Sequence, residues 1–259
     1  MIKIATYNAN SLRIRIDHFM PWLHQCSPDI VLVQETKVED ASFPAQIFND
    51  AGYHTAFYGQ KSYNGVAILS RHPIEDVKKG LSHFDDESAR AISATIMGIR
   101  CCSLYIPDGN PVDRDKYPYK LAFLEALYNQ VQQELLPQEQ PFFLAGDFNI
   151  CPHDADCHDP NSFANDALCL PEVRQYHRKL CHMGLVDAWR HLNPLPQAGY
   201  SYWDYQAGRF YKDEGLRIDH FLLSPELADR LEHAGIATDL RAKPRPSDHT
   251  PVWIKLREK

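Results

Sequence analysis

The sequence predicts an α/β fold in which two β-sheets pack together with helices outside. Short apolar runs of strand length dominate the chain, and stretches of helical period separate them at intervals. Nothing in the 259 residues reads as a linker, a low-complexity tract or an internal repeat, so residues 1–259 are expected to form one domain.

The elements follow in order. Ile2 to Tyr7 alternates as a strand does and ends in Asn8-Ala9-Asn10-Ser11. Ile14, Ile16, Phe19, Met20 and Leu23 mark a helix that contains Pro21. Ser27-Pro28 breaks the chain before Asp29 to Glu35, a buried-strand run that closes on an acid. A helix is expected over Phe43 to Ala51. Strands are expected over about Tyr53 to Tyr58, Gly65 to Ser70, Ile74 to Gly80, Ala91 to Ile96 and Arg100 to Ile106. Beyond the loop at Pro107 to Pro111, Tyr117 to Leu136 is the longest helix, with Leu121, Leu124, Leu127, Val131 and Leu135 on one face. Pro141 to Ala145 is a buried strand that runs into Gly146-Asp147-Phe148-Asn149. A polar loop of about 20 residues, Pro152 to Pro171, is too long for a mere connector. A helix over Glu172 to His182 follows, then an aromatic stretch from Tyr200 to Tyr205. The last strands are Arg217 to Leu223, Ala234 to Leu240 and Val252 to Leu256.

Composition bounds the function. Hydrophobic content of 44% supplies an ample core, and no run approaches a membrane span. The first twenty residues lack the apolar stretch of a signal peptide, and seven cysteines show no disulfide spacing, so a reducing cytoplasm is expected. A net charge of -7 argues against binding nucleic acid through bulk positive charge. It leaves room for an acidic, cation-loaded pocket with a local basic rim.

The chemistry sits at strand ends. Asn8, Glu35, Asp147, Asn149, Asp219 and the pair Asp248-His249 each follow or interrupt an apolar run. Glu35 and Asp248, with Asn8, offer hard oxygen ligands suited to Mg2+ or Mn2+. His249 beside Asp219 would be an acid-oriented imidazole. Asp147 would orient or deprotonate a water. Alternation places Asp147 and Asn149 on one side, and Gly146 lets something approach the backbone closely. These are parts for metal-assisted phosphoester hydrolysis. No Gly-x-Ser-x-Gly elbow suggests acyl chemistry.

Six short motifs carry a resemblance across the chain. They are Tyr7-Asn8-Ala9-Asn10-Ser11-Leu12-Arg13, Gln34-Glu35-Thr36-Lys37, Tyr63 to Ile68, Gly146-Asp147-Phe148-Asn149, Gly215-Leu216-Arg217-Ile218-Asp219 and Pro246-Ser247-Asp248-His249-Thr250-Pro251-Val252. In this order they resemble the exonuclease III family of abasic-site endonucleases. The resemblance implies a four-layered α/β sandwich of two packed mixed β-sheets flanked by helices. It implies that Glu35, with Asn8 and Asp248, binds Mg2+, for which Mn2+ would substitute. Asp147 would activate the water, Asn149 and Tyr105 would contact the scissile phosphate, and His249, oriented by Asp219, would stabilise the developing charge. Asn10 and Arg90 are assigned to substrate. So are Lys116 and Lys120, four apart at a helix start and hence on one face. Trp203 is expected to line the site. The implied partner is double-stranded DNA with abasic sites or blocked 3′ ends, met by a monomer with no membrane attachment.

Departures from the family pattern leave alternatives. Ser11 and Tyr202 differ from many members, and the loop from Asp154 to Leu170 matches poorly. That loop follows Asn149 and should border the DNA cleft. The expected activity is metal-dependent hydrolysis of DNA phosphodiesters, with 5′ incision at abasic sites, removal of 3′ blocking groups and 3′-to-5′ exonuclease action; the alternatives are a 3′ end-trimming specialist with little abasic-site activity and a same-fold phosphodiesterase for another substrate. Cys151, His153, Cys157, His158, Cys169, His177, Cys181 and His182 crowd one third of the chain. No CxxC pair exists among them and the family carries no zinc there, so a structural zinc is not expected.

Overall fold

A computed structural model describes residues 1–258. Among them twelve strands form two six-stranded sheets. The strands are β1 (Ile2–Asn8), β2 (Ile30–Gln34), β3 (His54–Tyr58), β4 (Val66–Ser70), β5 (Glu75–Lys79), β6 (Ala91–Ile96), β7 (Ile99–Tyr105), β8 (Phe142–Asp147), β9 (Val186–Asp187), β10 (Asp219–Leu223), β11 (Leu231–Ile236) and β12 (Val252–Leu256). One sheet has the order β11-β12-β1-β2-β4-β3 and the other β5-β6-β7-β8-β10-β9. Both are mixed: β1 runs parallel to β2 and β7 parallel to β8, while the other pairs are antiparallel.

Side-chain alternation builds the layers. Ile2, Ile4, Ile30, Leu32, Phe143, Ala145, Phe221, Leu223 and Ile254 point between the sheets and form the central core. Their neighbours Ala5, Tyr7, Val31 and Val33 face the other way, against Leu12, Phe19, Trp22 and Leu23 of helix α1 (Leu12–Cys26) and Phe48 of α2 (Ala45–Asp50). On the second sheet Phe142, Leu144 and Leu222 face outward, under Phe123, Leu124 and Leu127 of α3 (Lys116–Gln130) and Val173 and Leu180 of α4 (Pro171–His182). The result is the expected four-layered α/β sandwich.

Local chemistry moves several boundaries. Pro21 sits within α1, and both it and Asp17, whose carbonyl it leaves unpaired, face solvent, so the helix continues. The expected helix over Phe43 to Ala51 is shortened to α2, with Pro44 at its N-cap, and a separate 3-10 turn, Asp40–Ser42, precedes it. The long helix loses regular hydrogen bonding at a π turn, Val131–Leu135, and ends in a 3-10 turn that contains Pro137. The last part of the expected strand Ala234 to Leu240 is instead a 3-10 turn, Thr238–Ala242. The strand expected from Arg217 begins at Asp219.

Candidate active site

The inter-sheet face continues to one end of the sandwich, where it turns polar. Along β1 the inward positions read Ile4, Thr6, Asn8; along β8, Phe143, Ala145, Asp147; along β7, Cys101, Ser103, Tyr105. β10 runs the other way, so its first inward residue, Asp219, arrives at the same end. Register completes the convergence: Asp147 is paired with Tyr105 on one side and Asp219 on the other. Beneath this rim, Thr6 donates to Gln34, which donates to Ser103, at 3.2 and 3.1 Å, so the polar layer closes with its donors paired. Gly146 has φ +143°, and a Cβ there would lie 1.9 Å from the Leu104 carbonyl. The close approach expected at this glycine is thus made by the neighbouring strand.

A cavity of about 320 Å3 opens at this end, lined by Glu35, Tyr105, Asp147, Asn149, Asp248 and His249. The Asn8 amide donates to Glu35 Oε1 at 2.9 Å and to Asp147 Oδ2 at 2.8 Å. Asn8 Oδ1 accepts from the Asn10 backbone, so Asn8 spaces the two carboxylates more directly than it offers a ligand. Lys37 Nζ lies 2.8 Å from Glu35 Oε2. Burial pushes the Glu35 carboxyl up, but its hydrogen bonds to Lys37 and Asn8 outweigh burial and hold it below the usual range. Asn10 donates to Asp248 at 3.0 Å and accepts from Lys37 at 2.6 Å.

His249 is fixed from behind. Its Nδ1 meets Asp219 Oδ2 at 2.8 Å, and Ser201 Oγ donates to the same oxygen at 2.6 Å. Its Nε2 faces Asp147 Oδ2 at 3.6 Å. Burial alone would lower the imidazole, but the charges of Asp219 and Asp147 win and raise it to about 10. Asp147 is raised to about 7 by its own burial, which exceeds the opposing pull of His249. At neutral pH the pair is an imidazolium beside a carboxylate poised to take a proton. Tyr105, buried beside Glu35 and Asp147, is held as a neutral phenol and so remains a donor. Asn149 adopts φ 49°, its backbone N–H bonds Asp147 Oδ1 at 3.0 Å, and its side-chain amide bonds the Ile106 carbonyl at 2.9 Å.

Several substrate assignments change. Lys116 is exposed, but Lys120 is fully buried, with Nζ 2.9 Å from the Asp108 carbonyl and 2.5 Å from that of Asn149. Lys120 therefore holds the Asn149 backbone and is out of reach of DNA. Arg90 lies over the Tyr105 ring at 4.6 Å, so its first contact is with that ring. Trp203 is buried, donates to Asp213 and packs edge-on to Phe210. Tyr202, one residue earlier and on the opposite side, lines the cavity and sits edge-on to His249 at 5.0 Å. Arg217, in the fifth motif, is buried and locked by Asp156 and Asp187 at 2.7 and 2.9 Å, so it adds no charge to a basic rim. The long loop contributes His158, Phe163, Asp166 and Leu168 to the cavity wall. Lys37 and Ser201 carry site geometry that sequence reasoning left unassigned, although both lie inside stretches already singled out, Gln34 to Lys37 and Tyr200 to Tyr205.

Hard oxygen donors on Glu35 and Asp248 share this cavity, and Glu35 is ionised, so a divalent cation fits the donor set. Asp147, Asp219 and His249 also bring donor atoms within 4.8 Å. That trio is better described as a closed carboxylate–imidazolium–carboxylate arrangement, since a cation there would meet the protonated His249.

A two-sheet sandwich with an acid, an amide, a buffered imidazolium and hard carboxylates at one open end defines a class of phosphoester hydrolases. The chain belongs to the Endonuclease/Exonuclease/phosphatase family, whose model matches residues 5–249. This family is metal-dependent. An exodeoxyribonuclease III from Haemophilus influenzae is 34% identical over 99% of this chain and 100% of its own length. Two solved structures are equally similar in shape. A 3′ phosphatase from Neisseria, bound to a product DNA hairpin, matches with TM-score 0.96 and 38% identity, covering 100% of both chains. An AP endonuclease from Archaeoglobus fulgidus matches with TM-score 0.95 and 37% identity, again over 100% of both chains. Among the described residues no helix is long and apolar enough to cross a membrane.

Proposed function

We propose that the cavity hydrolyses DNA phosphodiesters at abasic sites and blocked 3′ ends, with Mg2+ as its working cation. The chain is a DNA repair nuclease, as its relatives indicate. The observation that carries the reading is the convergence of Asp147, Asn149, Tyr105 and His249 on one cavity beside Glu35 and Asp248. In it Asp147 takes the proton of the attacking water. His249, held charged by Asp219, stands across from Asp147 and stabilises charge that develops on the phosphorus oxygens. The Tyr105 hydroxyl and the second N–H of the Asn149 amide would offer donors to the same group. Glu35 and Asp248 would hold the cation, which supplies Lewis-acid polarisation of the phosphate when bound. Asn8 and Lys37 keep Glu35 ionised and placed.

The wall of Tyr202, Phe163, Leu168, Leu216 and Ile218 is apolar and suits a sugar without a base. Two labelled duplexes test the substrate, one with an internal abasic analogue and one with a 3′ phosphate at a nick. We expect cleavage of both. Cleavage of the second alone means that the loop carrying Phe163 closes the pocket to internal sites and the protein is a 3′ end trimmer. Cleavage of neither removes DNA repair as the substrate assignment. Asp147→Asn should lower kcat on either duplex by about 10²–10⁴-fold, the range for a lost general base; full activity would remove Asp147 from the mechanism.

A further inference from the structure

Three cysteines that this chemistry does not use meet directly behind the cleft wall. Cys151, Cys157 and Cys169 are 0%, 4% and 5% exposed, and their sulfurs lie within 4.8 Å of one another. None forms a disulfide. They come from separate points of the chain: two residues past Asn149, the end of the 3-10 turn Asp154–Asp156, and the approach to α4. Backbone contacts impose the meeting. The Cys151 N–H bonds the Leu168 carbonyl at 2.9 Å, the Cys169 N–H bonds the Asp166 carbonyl at 2.9 Å, and Cys157 forms an antiparallel bridge with Leu216.

His153, His158, His177 and Cys181 of the Cys/His-rich stretch are engaged elsewhere. His153 is exposed and accepts from Ala155, His158 contacts the Gly215 carbonyl and Arg209, and His177 lies against Cys181 and Asp187. Among the described residues no histidine or carboxylate joins the three sulfurs. Arg174 lies alongside, with its Nε donating to the Cys151 carbonyl at 2.8 Å.

We propose that Cys151, Cys157 and Cys169 form a binding site for one thiophilic closed-shell cation, Zn2+ or Cu+. A set made only of buried sulfur selects such ions and rejects Mg2+. Metal–sulfur bonds of about 2.3 Å place ligand sulfurs roughly 3.7–4.0 Å apart, so the observed spacing needs only a small closure. Three thiolates complete a trigonal Cu+ site. With Zn2+ they leave one negative charge, near an Arg174 guanidinium that also pairs with Asp154 at 2.7 Å, and a fourth position for water. Binding releases the thiol protons still present. Its consequence lies in the wall: the ion would pin residues 151–169, the segment that brings Phe163, Asp166 and Leu168 to the cavity.

The test uses the reduced full-length chain without oxygen, in excess Mg2+ to fill the oxygen site. Co2+ is titrated as a spectroscopic stand-in. We expect a thiolate-to-cobalt charge-transfer band in the near ultraviolet that saturates at one equivalent. Displacement by Zn2+, or by Cu+ delivered from a chelating buffer, tells which ion the site prefers. Cys157→Ser and Cys169→Ser should lose the band, while Cys26→Ser keeps it. Should those two variants fail to fold, the wild-type titration still decides. Absence of the band, or its loss in Cys26→Ser, overturns the proposal, as does a disulfide between any two of the three in protein purified under reducing conditions.

Discussion

Lys120→Met removes an ammonium that the sequence placed on a DNA-facing helix surface and the fold placed beneath the active site. Its Nζ bonds the carbonyls of Asp108 and Asn149. Each such bond from a charged donor contributes about 1.5–3 kcal/mol. Burial offsets part of this, as shown by the depression of its ammonium to about 7. The variant should therefore lose a net 1–3 kcal/mol, roughly 2–8 °C in Tm for a domain of this size. The second effect is on chemistry. Asn149 sits in a left-handed conformation, Lys120 Nζ holds its carbonyl, and the residue lines the cavity proposed to receive the phosphate. A displacement of about 1 Å there costs up to about 100-fold, so kcat should fall by roughly 10–100-fold. DNA affinity, measured with Asp147→Asn in the background to prevent turnover, should keep its salt dependence. A phosphate-contacting lysine would instead reduce the slope of log K against log salt by about 1. That smaller slope is expected for Lys116→Met. A reduced slope in Lys120→Met with unchanged kcat and Tm would refute the positioning role.

Two further predictions concern groups that touch no substrate. Ser201→Ala removes the hydroxyl that fixes Asp219 and accepts from the Asp219 N–H at 3.2 Å; kcat should fall about 3–30-fold with KM unchanged, within what one hydrogen bond of about 1–2 kcal/mol supports. His220 and His177 predict opposite stability slopes. Burial, with Arg217 beside it, lowers His220 to about 3, so between pH 6.5 and 3 the unfolded chain takes up a proton that the folded chain refuses, and stability falls on acidification by up to about 1.4 kcal/mol per pH unit. Burial would lower His177 too, but Asp187 and Cys181 raise it to about 9, so its contribution is full below pH 6.5 and lost as pH rises through 9. Urea unfolding from pH 4 to 9 should show both limbs, with the acid limb shallower in His220→Gln; an unchanged acid limb would remove His220 as its source.

The site was legible in the sequence because strand alternation is local. A run such as Phe143-Leu144-Ala145-Gly146-Asp147 states which face is apolar and that the same face ends in an acid. The family motifs then supplied which strand ends meet, which periodicity cannot. Where the reading depended on the fold around a residue, it failed. Lys116 and Lys120 share a helix face by spacing, yet the chain at Asp108 and Asn149 covers only Lys120. Tyr202 and Trp203 point to opposite sides, but the side that faces the cavity is set by bridges from Tyr202 to Leu216 and His249, partners distant in sequence. The three cysteines show the same limit: their spacing lacks any metal-binding pattern because backbone contacts with Leu168 and Leu216, and not a local turn, gather them.

The charge of the cavity makes its cation more than a catalyst. Glu35, Asp108, Asp166, Asp204, Glu214 and Asp248 line the space that must receive a phosphate, against Arg209 and the imidazolium of His249. A phosphate entering this set without a cation meets net repulsion. At an effective dielectric near 20, one charge about 4 Å away contributes roughly 4 kcal/mol, before screening reduces it. Chelation should therefore weaken binding as well as stop hydrolysis. With Asp147→Asn, a duplex bearing a 3′ phosphate at a nick should bind at least about tenfold more tightly in Mg2+ than in EDTA, equivalent to about 1.4 kcal/mol. The same duplex with a free 3′ hydroxyl should show a smaller difference, because it places less charge in the cavity. Equal affinities for the phosphorylated duplex in Mg2+ and EDTA would mean that the phosphate does not enter among these carboxylates, and the assignment of Glu35 and Asp248 as the cation's ligands would fall with it.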